Sequence, residues 1–167
     1  MEVIIVSIFS IFKRKLPPKP KIISFDEIYQ LTDNDDFHIE LREMLLNECD
    51  ENAQPINMCH TKKVLFLCMM IEDAGQGDTI LNFFDEFPDY TNEVGDALFE
   101  IGAPKSAEFI KQAIELLPKD GTEFTYATNK KEWDIMMEIG DKFSDYPDGR
   151  MRDLYRKYAE KHKNDFL

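Results

Sequence analysis

The residues of this chain with the reach to do chemistry are scattered, and their spacing fits no catalytic or metal-binding pattern. His38, His60 and His162 fall in three separate elements, with no His-Glu-x-x-His pair among them. Cys59 and His60 are neighbours in the chain, but a thiol nucleophile and its base must meet in space, which adjacency does not supply. Asp33-Asn34-Asp35-Asp36 opens like a calcium loop. Its sixth position is His38 where the sharp turn needs Gly, and its twelfth is Met44 where a bidentate Glu belongs, so an EF-hand is excluded. Gly75-Gln76-Gly77 is too short for a phosphate-binding loop and follows a helical pattern, not a strand. Paired carboxylates abound among 33 acids and therefore carry no information about glycosidase-type chemistry. No catalytic residue, no metal site and no cofactor is expected.

Charge is the distinctive quantity. The 167 residues carry a net charge of −13, unevenly spread. Residues 1–23 hold one acid and five bases, residues 24–100 hold 19 acids against Arg42, Lys62 and Lys63, and residues 101–167 are almost balanced. So acidic a half should repel bare nucleic acid and anionic lipid and attract basic surfaces. Three cysteines (Cys49, Cys59 and Cys68) with no two-residue spacing argue against a disulfide framework or a zinc site, and fit a reducing cytoplasm. An apolar content of 43% is enough for an ordinary core.

The elements that must position these side chains read as helices throughout. Residues 1–23 form an apolar and basic tail with a Pro-rich linker. The apolar run Val3–Phe12 is too short to span a bilayer, although membrane contact through residues 3–15 stays open. From residue 24 the expectation is one all-α domain, a compact bundle of about seven or eight helices. Ser24 and Glu27 have the spacing of a capping box, and the helix they open runs to about Leu31. Asp36 is expected to cap a second helix through Phe37, Leu41, Leu45 and Cys49. A third, apolar on every side, is expected over Asn57–Asp73 and stopped by Gly75-Gln76-Gly77. A fourth runs from Asp78 to Phe87, and Asp89 caps a fifth through Val94, Ala97, Leu98 and Ile101. Gly102 ends that helix and Pro104 opens the next. Residues 118–129 read as a loop, followed by a helix over Lys130–Ser144. A last helix, capped by Asp148, carries Leu154, Tyr155 and Tyr158.

From Glu72 onward the order of parts is specific. Glu72-Asp73-Ala74-Gly75-Gln76-Gly77 precedes Asn82-Phe83-Phe84, then Ala97-Leu98-Phe99-Glu100-Ile101-Gly102-Ala103, then Ala107 and Ala113. Asp141, Phe143, Tyr158, His162 and Asp165-Phe166 close the series. In these parts, over about residues 36–167, the chain resembles the bacterial DNA-mimic protein family, a helical domain of unknown function. It departs from the family in having Gly75 and Gly77 split by Gln76 and followed by Asp78, where relatives have adjacent glycines and then an aromatic. Physically the signature is architecture: a left-handed helix stop at Gly102, small residues where helices meet, and large buried rings.

What the resemblance implies is a non-catalytic protein that imitates duplex DNA. Its carboxylates would occupy the DNA-binding surface of a basic protein such as a transcription regulator. Asp89, Glu93, Asp96 and Glu100 form one stripe on a helix, with few bases nearby to offset it. Their rise of about 4.5–6 Å per member is sparser than the roughly 3.4 Å phosphate repeat of one DNA strand. Asp78, Asp85 and Glu86 could fill between, and Glu40, Glu43 and Glu51 offer a second row. The same stripe also reads as plain solvated surface. A membrane-proximal or structural adaptor using the N-terminal tail, and an unrecognised enzyme, are the alternatives. A homodimer is left open.

Overall fold

The computed structural model describes residues 24–120 and 122–166. The tail over residues 1–23, with its linker and any membrane contact, lies outside them. Among the described residues eight α-helices run in order: α1 (Phe25–Tyr29), α2 (Asn34–Glu48), α3 (His60–Gly77), α4 (Leu81–Glu86), α5 (Thr91–Glu100), α6 (Pro104–Leu116), α7 (Lys130–Ser144) and α8 (Met151–Lys161). Short 3-10 turns lie at Pro88–Tyr90 and Lys163–Phe166, and there is no strand among the described residues. The all-α expectation is met. No helix of the described residues is long and apolar enough to cross a membrane.

Helix α3 is apolar all round because it is the buried centre. Every residue from Val64 to Glu72 is buried, and α2, α4, α5 and α7 pack around it. Phe83, Phe84 and Phe87 from α4 and its end form an aromatic cluster; Phe87 lies 5.2 Å from Phe83 and meets Phe66 of α3 edge-on. Burying such a side chain contributes about 1.5–3 kcal/mol.

Helices α5 and α6 form a tight antiparallel hairpin. Gly102 (φ +94°) ends α5 in a Schellman arrangement: Ala103 N–H donates to Leu98 at 2.9 Å and Gly102 N–H to Phe99 at 3.1 Å. Ile101, Ala103, Ala107 and Ala113 are buried at or just beyond this corner.

The capping box at Ser24 and Glu27 is present, and α7 has the expected bounds. Several boundaries differ, each for a local reason. Helix α2 starts earlier than expected, because Asp33 rather than Asp36 caps it, accepting from Asp35 N–H (2.7 Å) and Asp36 N–H (3.1 Å). Helix α3 starts at His60, after a turn closed by Met58 N–H on Pro55. At its other end the glycines do not stop α3; it runs through Gly77. A Cβ on Gly75 would lie 3.1–3.2 Å from Ser144 and the Phe143 ring, so its absence lets α7 pack against that turn. Ser144 Oγ donates to the Gly75 carbonyl at 3.0 Å and Gln76 Nε2 to the Ser144 carbonyl at 2.8 Å, holding the turn helical.

Asp89 caps no helix; it lies in the 3-10 turn Pro88–Tyr90, and α5 begins at Thr91 without a side-chain cap. Asp148 does not cap α8. It reaches the first turn of α6 and accepts from Lys105 N–H (3.1 Å) and Ser106 N–H (2.7 Å).

Candidate protein-binding surface

The expected stripe lies on α5, with Glu93, Asp96 and Glu100 on the helix and Asp89 in the turn before it. All four are exposed residues, yet two meet a lysine and a third meets a histidine, which corrects the expectation of few nearby bases. Lys63 Nζ is 3.7 Å from Glu93, Lys111 Nζ is 2.7 Å from Asp96, and His60 Nε2 is 2.9 Å from Glu100.

These pairings are unequal. Asp96 and Lys111 are both well exposed, and such a pair contributes at most about 1 kcal/mol, so a partner can displace it. Glu100 is held more firmly: the Tyr158 hydroxyl donates to its Oε1 at 2.5 Å. Partial burial opposes its charge, but the hydrogen bonds from Tyr158 and His60 prevail and hold the carboxyl below its usual range. In return, burial and the Glu100 contact push the Tyr158 phenol well up. Glu100 is therefore a structural ligand for α8 and the start of α3 before it is anything else.

The uncountered carboxylates lie one corner away. Asp78, Asp85, Glu86 and Asp89 are exposed, and none has a Lys, Arg or His nitrogen within 4 Å among the described residues. Helix α4 and its flanks carry all four, because Phe83, Phe84 and Phe87 turn inward and leave Asp85 and Glu86 on the opposite face. The α2–α3 loop adds to this corner. Asp50 folds that loop by accepting from Asn52 N–H (3.0 Å) and Gln54 N–H (2.7 Å), and Gln54 Nε2 ties it to the Glu86 carbonyl at 3.2 Å. Burial raises the Tyr90 phenol, and the charges of Glu93, Asp89 and Asp50 add to that rise, so these three carboxylates bear on one point.

Glu40 and Glu43 stand elsewhere, on α2, which packs mainly on α1, α3 and α8. Glu43 shares Arg42, whose guanidinium reaches Asp73 at 2.6 Å. Glu51 is exposed in the loop after α2.

The residues of the sequence signature are mostly interior. Glu72, Phe83, Phe84, Leu98, Ile101, Ala103 and Ala107 are buried, Gly75 is partly buried, and Gly77 and Gly102 are at the surface. Elsewhere, His60 turns toward Glu100, and Cys68 is wholly buried with its thiol pushed well up by desolvation. No group of three or more His, Cys, Asp or Glu side chains among the described residues is placed to hold a metal ion.

Beside α4 lies a feature that the local spacing of residues did not reveal. An open groove of about 650 Å³ runs between α4 and the segment joining α6 to α7. Asp78, Asp85 and Glu123 stand on its walls with Phe124, Tyr126 and Trp133. The Trp133 ring stacks on Phe124 (centroids 5.9 Å, 14°) and meets Tyr126 edge-on (6.0 Å, 86°).

Fold and surface thus define an all-helical protein with an interior signature and an acidic exterior corner. The sequence matches the DMP19-like protein family over residues 58–162, and the chain belongs to that family. That span lies inside residues 36–167, which carry the resemblance to the DNA-mimic family. Neither curated proteins nor solved structures gave a significant match.

Proposed function

We propose that the protein acts stoichiometrically as a DNA mimic, with its acidic surface occupying the DNA-binding face of a basic protein such as a transcription regulator. Membership of the DMP19-like family supports the reading. The observation that carries it is the set of carboxylates on α4 and its flanks with no countering base among the described residues: Asp78 at the α3–α4 turn, and Asp85, Glu86 and Asp89 toward the α4–α5 corner. Like charges crowded on a rigid scaffold cost stability, and an opposite surface relieves that cost on binding. Asp96 extends the patch once its exposed partner Lys111 is displaced, and Glu93 does so where a partner outcompetes the half-buried Lys63. Glu40 and Glu43 would serve only a partner that also reaches α2. Association through such a surface is fast and strongly weakened by salt.

The test is affinity capture from the native host at about 50 mM and about 500 mM salt, where screening lengths differ severalfold, followed by elution with duplex DNA. The expected result is a DNA-binding protein retained at low salt and released by the duplex. A bound protein indifferent to both salt and duplex DNA would overturn the reading.

A further inference from the structure

We infer that the groove between α4 and the α6–α7 segment is an arginine-binding site, which receives a guanidinium-bearing segment of the basic partner. This rests on the proposed function for the partner's basic character and adds the chemistry by which one of its side chains is recognised. Three carboxylates, Asp78, Asp85 and Glu123, and four aromatic residues, Phe84, Phe124, Tyr126 and Trp133, line the same groove, and among the described residues no Lys, Arg or His lines it. That combination suits a planar cation. A guanidinium can stack on an aromatic face while its N–H fork engages carboxylates, whereas an ammonium offers only a point charge. Its aliphatic stem has Leu81, Pro88 and Leu117 to cover. Phosphate or carboxylate ligands would meet like charge.

The size points the same way. About 650 Å³ falls in the range of sites that enclose a ligand of many atoms, so the groove has room for an arginine with its flanking backbone. The aromatic wall is pre-organised. Thr125 and Thr128 hydroxyls lie 2.8 Å apart, Thr128 Oγ1 donates to Asn129 Oδ1 at 2.8 Å, and the backbone N–H of Trp133 donates to the Asn129 carbonyl at 2.8 Å. Lys130 Nζ already stands 5.8 Å from the Tyr126 centroid, so one ring of this wall holds a cation within the chain itself.

Trp133 is the chain's single tryptophan, which makes its fluorescence a direct reporter of the groove. The full chain is titrated with a blocked Gly-Arg-Gly-Arg-Gly peptide, with its lysine counterpart, and with citrulline in place of arginine. The expected result is a saturable emission change with arginine, several-fold weaker binding with lysine, and none with the uncharged citrulline. Replacing two of the groove's three acids, Asp78→Asn with Asp85→Asn, should weaken arginine binding about tenfold at unchanged helix content, as removal of charge partners predicts. Equal binding of the citrulline peptide, or an unaltered affinity in the double variant, would overturn the site. If duplex-competed capture of a basic protein persists while the arginine peptide leaves Trp133 unmoved, the groove inference fails alone. If the peptide binds as expected but no duplex-competed partner is captured, the mimicry reading fails and the arginine site stands.

Discussion

The Tyr155 hydroxyl lies 2.8 Å from Glu72 Oε2 and 3.0 Å from the Cys68 carbonyl, all of it buried between α8 and α3. One hydroxyl proton cannot fully serve two acceptors. A protonated Glu72 resolves the conflict, because it donates to Tyr155 and frees the Tyr155 proton for the Cys68 carbonyl. Burial pushes the Glu72 carboxyl above its usual range, with the Tyr155 and Tyr146 hydroxyls working the other way. The folded state thus holds the Glu72 proton more tightly than the unfolded chain does. The stability this contributes is complete below the ordinary carboxylate range and is lost as pH rises through the elevated value. Glu72→Gln, which keeps a donor at that position, should flatten this part of the profile. Chemical denaturation at pH 4 and pH 7 checks it: the variant should gain on the parent by about 1 kcal/mol at the higher pH. A constant offset would show that Glu72 does not titrate in this way.

Gly75 and Gly77 should respond oppositely to alanine. At Gly75 a Cβ meets the buried Phe143 ring at 3.2 Å and the Ser144 hydroxyl at 3.1 Å, and the latter already donates to the Gly75 carbonyl. Overpacking of this kind costs about 1–3 kcal/mol and outweighs the gain of roughly 1 kcal/mol in helix propensity. At Gly77 a Cβ meets nothing within 4 Å and the residue is helical. Gly75→Ala should lower the thermal midpoint and Gly77→Ala should raise it slightly. Equal shifts would mean that α7 yields at the contact.

That contrast shows which parts of the fold local spacing encodes. Apolar periodicity located every long helix, and Gly102 and Pro104 marked the corner between α5 and α6 because both act through their own backbone. Helix ends settled by another element were not legible. The third helix passes its glycines because α7 packs against Gly75 and Ser144 holds its carbonyl, and Asp148 serves a helix other than the one it precedes. The same limit applies to the charged surface. Lys111 meets Asp96 because the two are equidistant from the α5–α6 corner, a relation that the hairpin geometry contains and a stripe on one helix does not. The groove joins Asp78 and Asp85 to Tyr126 and Trp133 across about 40–55 positions of chain, so no local pattern could announce it.

Helix α6 begins at Pro104 after Ala103, a residue with no side-chain acceptor. Its second and third amides would be orphaned, and Asp148 accepts both from the far side of α7. A negative charge at that end also opposes the helix dipole favourably. Asp148→Ala should therefore cost about 1–2 kcal/mol, the range of a lost N-cap, while Asp148→Asn should cost less. Calorimetry on the three chains gives the order, and a silent alanine variant would show that water substitutes for the carboxylate.

For partner binding, Glu86 and Asp89 are the informative positions and Glu100 is not. The first two are exposed and have no cation within 4 Å among the described residues, so reversing them to Lys alters the outward field with little effect on packing. Glu100 accepts from Tyr158 and meets His60, so reversal there confounds lost binding with damage between α3, α5 and α8. Glu86→Lys with Asp89→Lys should weaken capture of a basic DNA-binding protein about tenfold, chiefly through slower association, and should flatten its salt dependence. Circular dichroism should match the parent, whereas Glu100→Lys should lose helical stability. Stopped-flow association at two salt concentrations separates these outcomes. Unaltered association in the double reversal would remove the α4–α5 corner from the interface and leave the exposed acids as a solvated face.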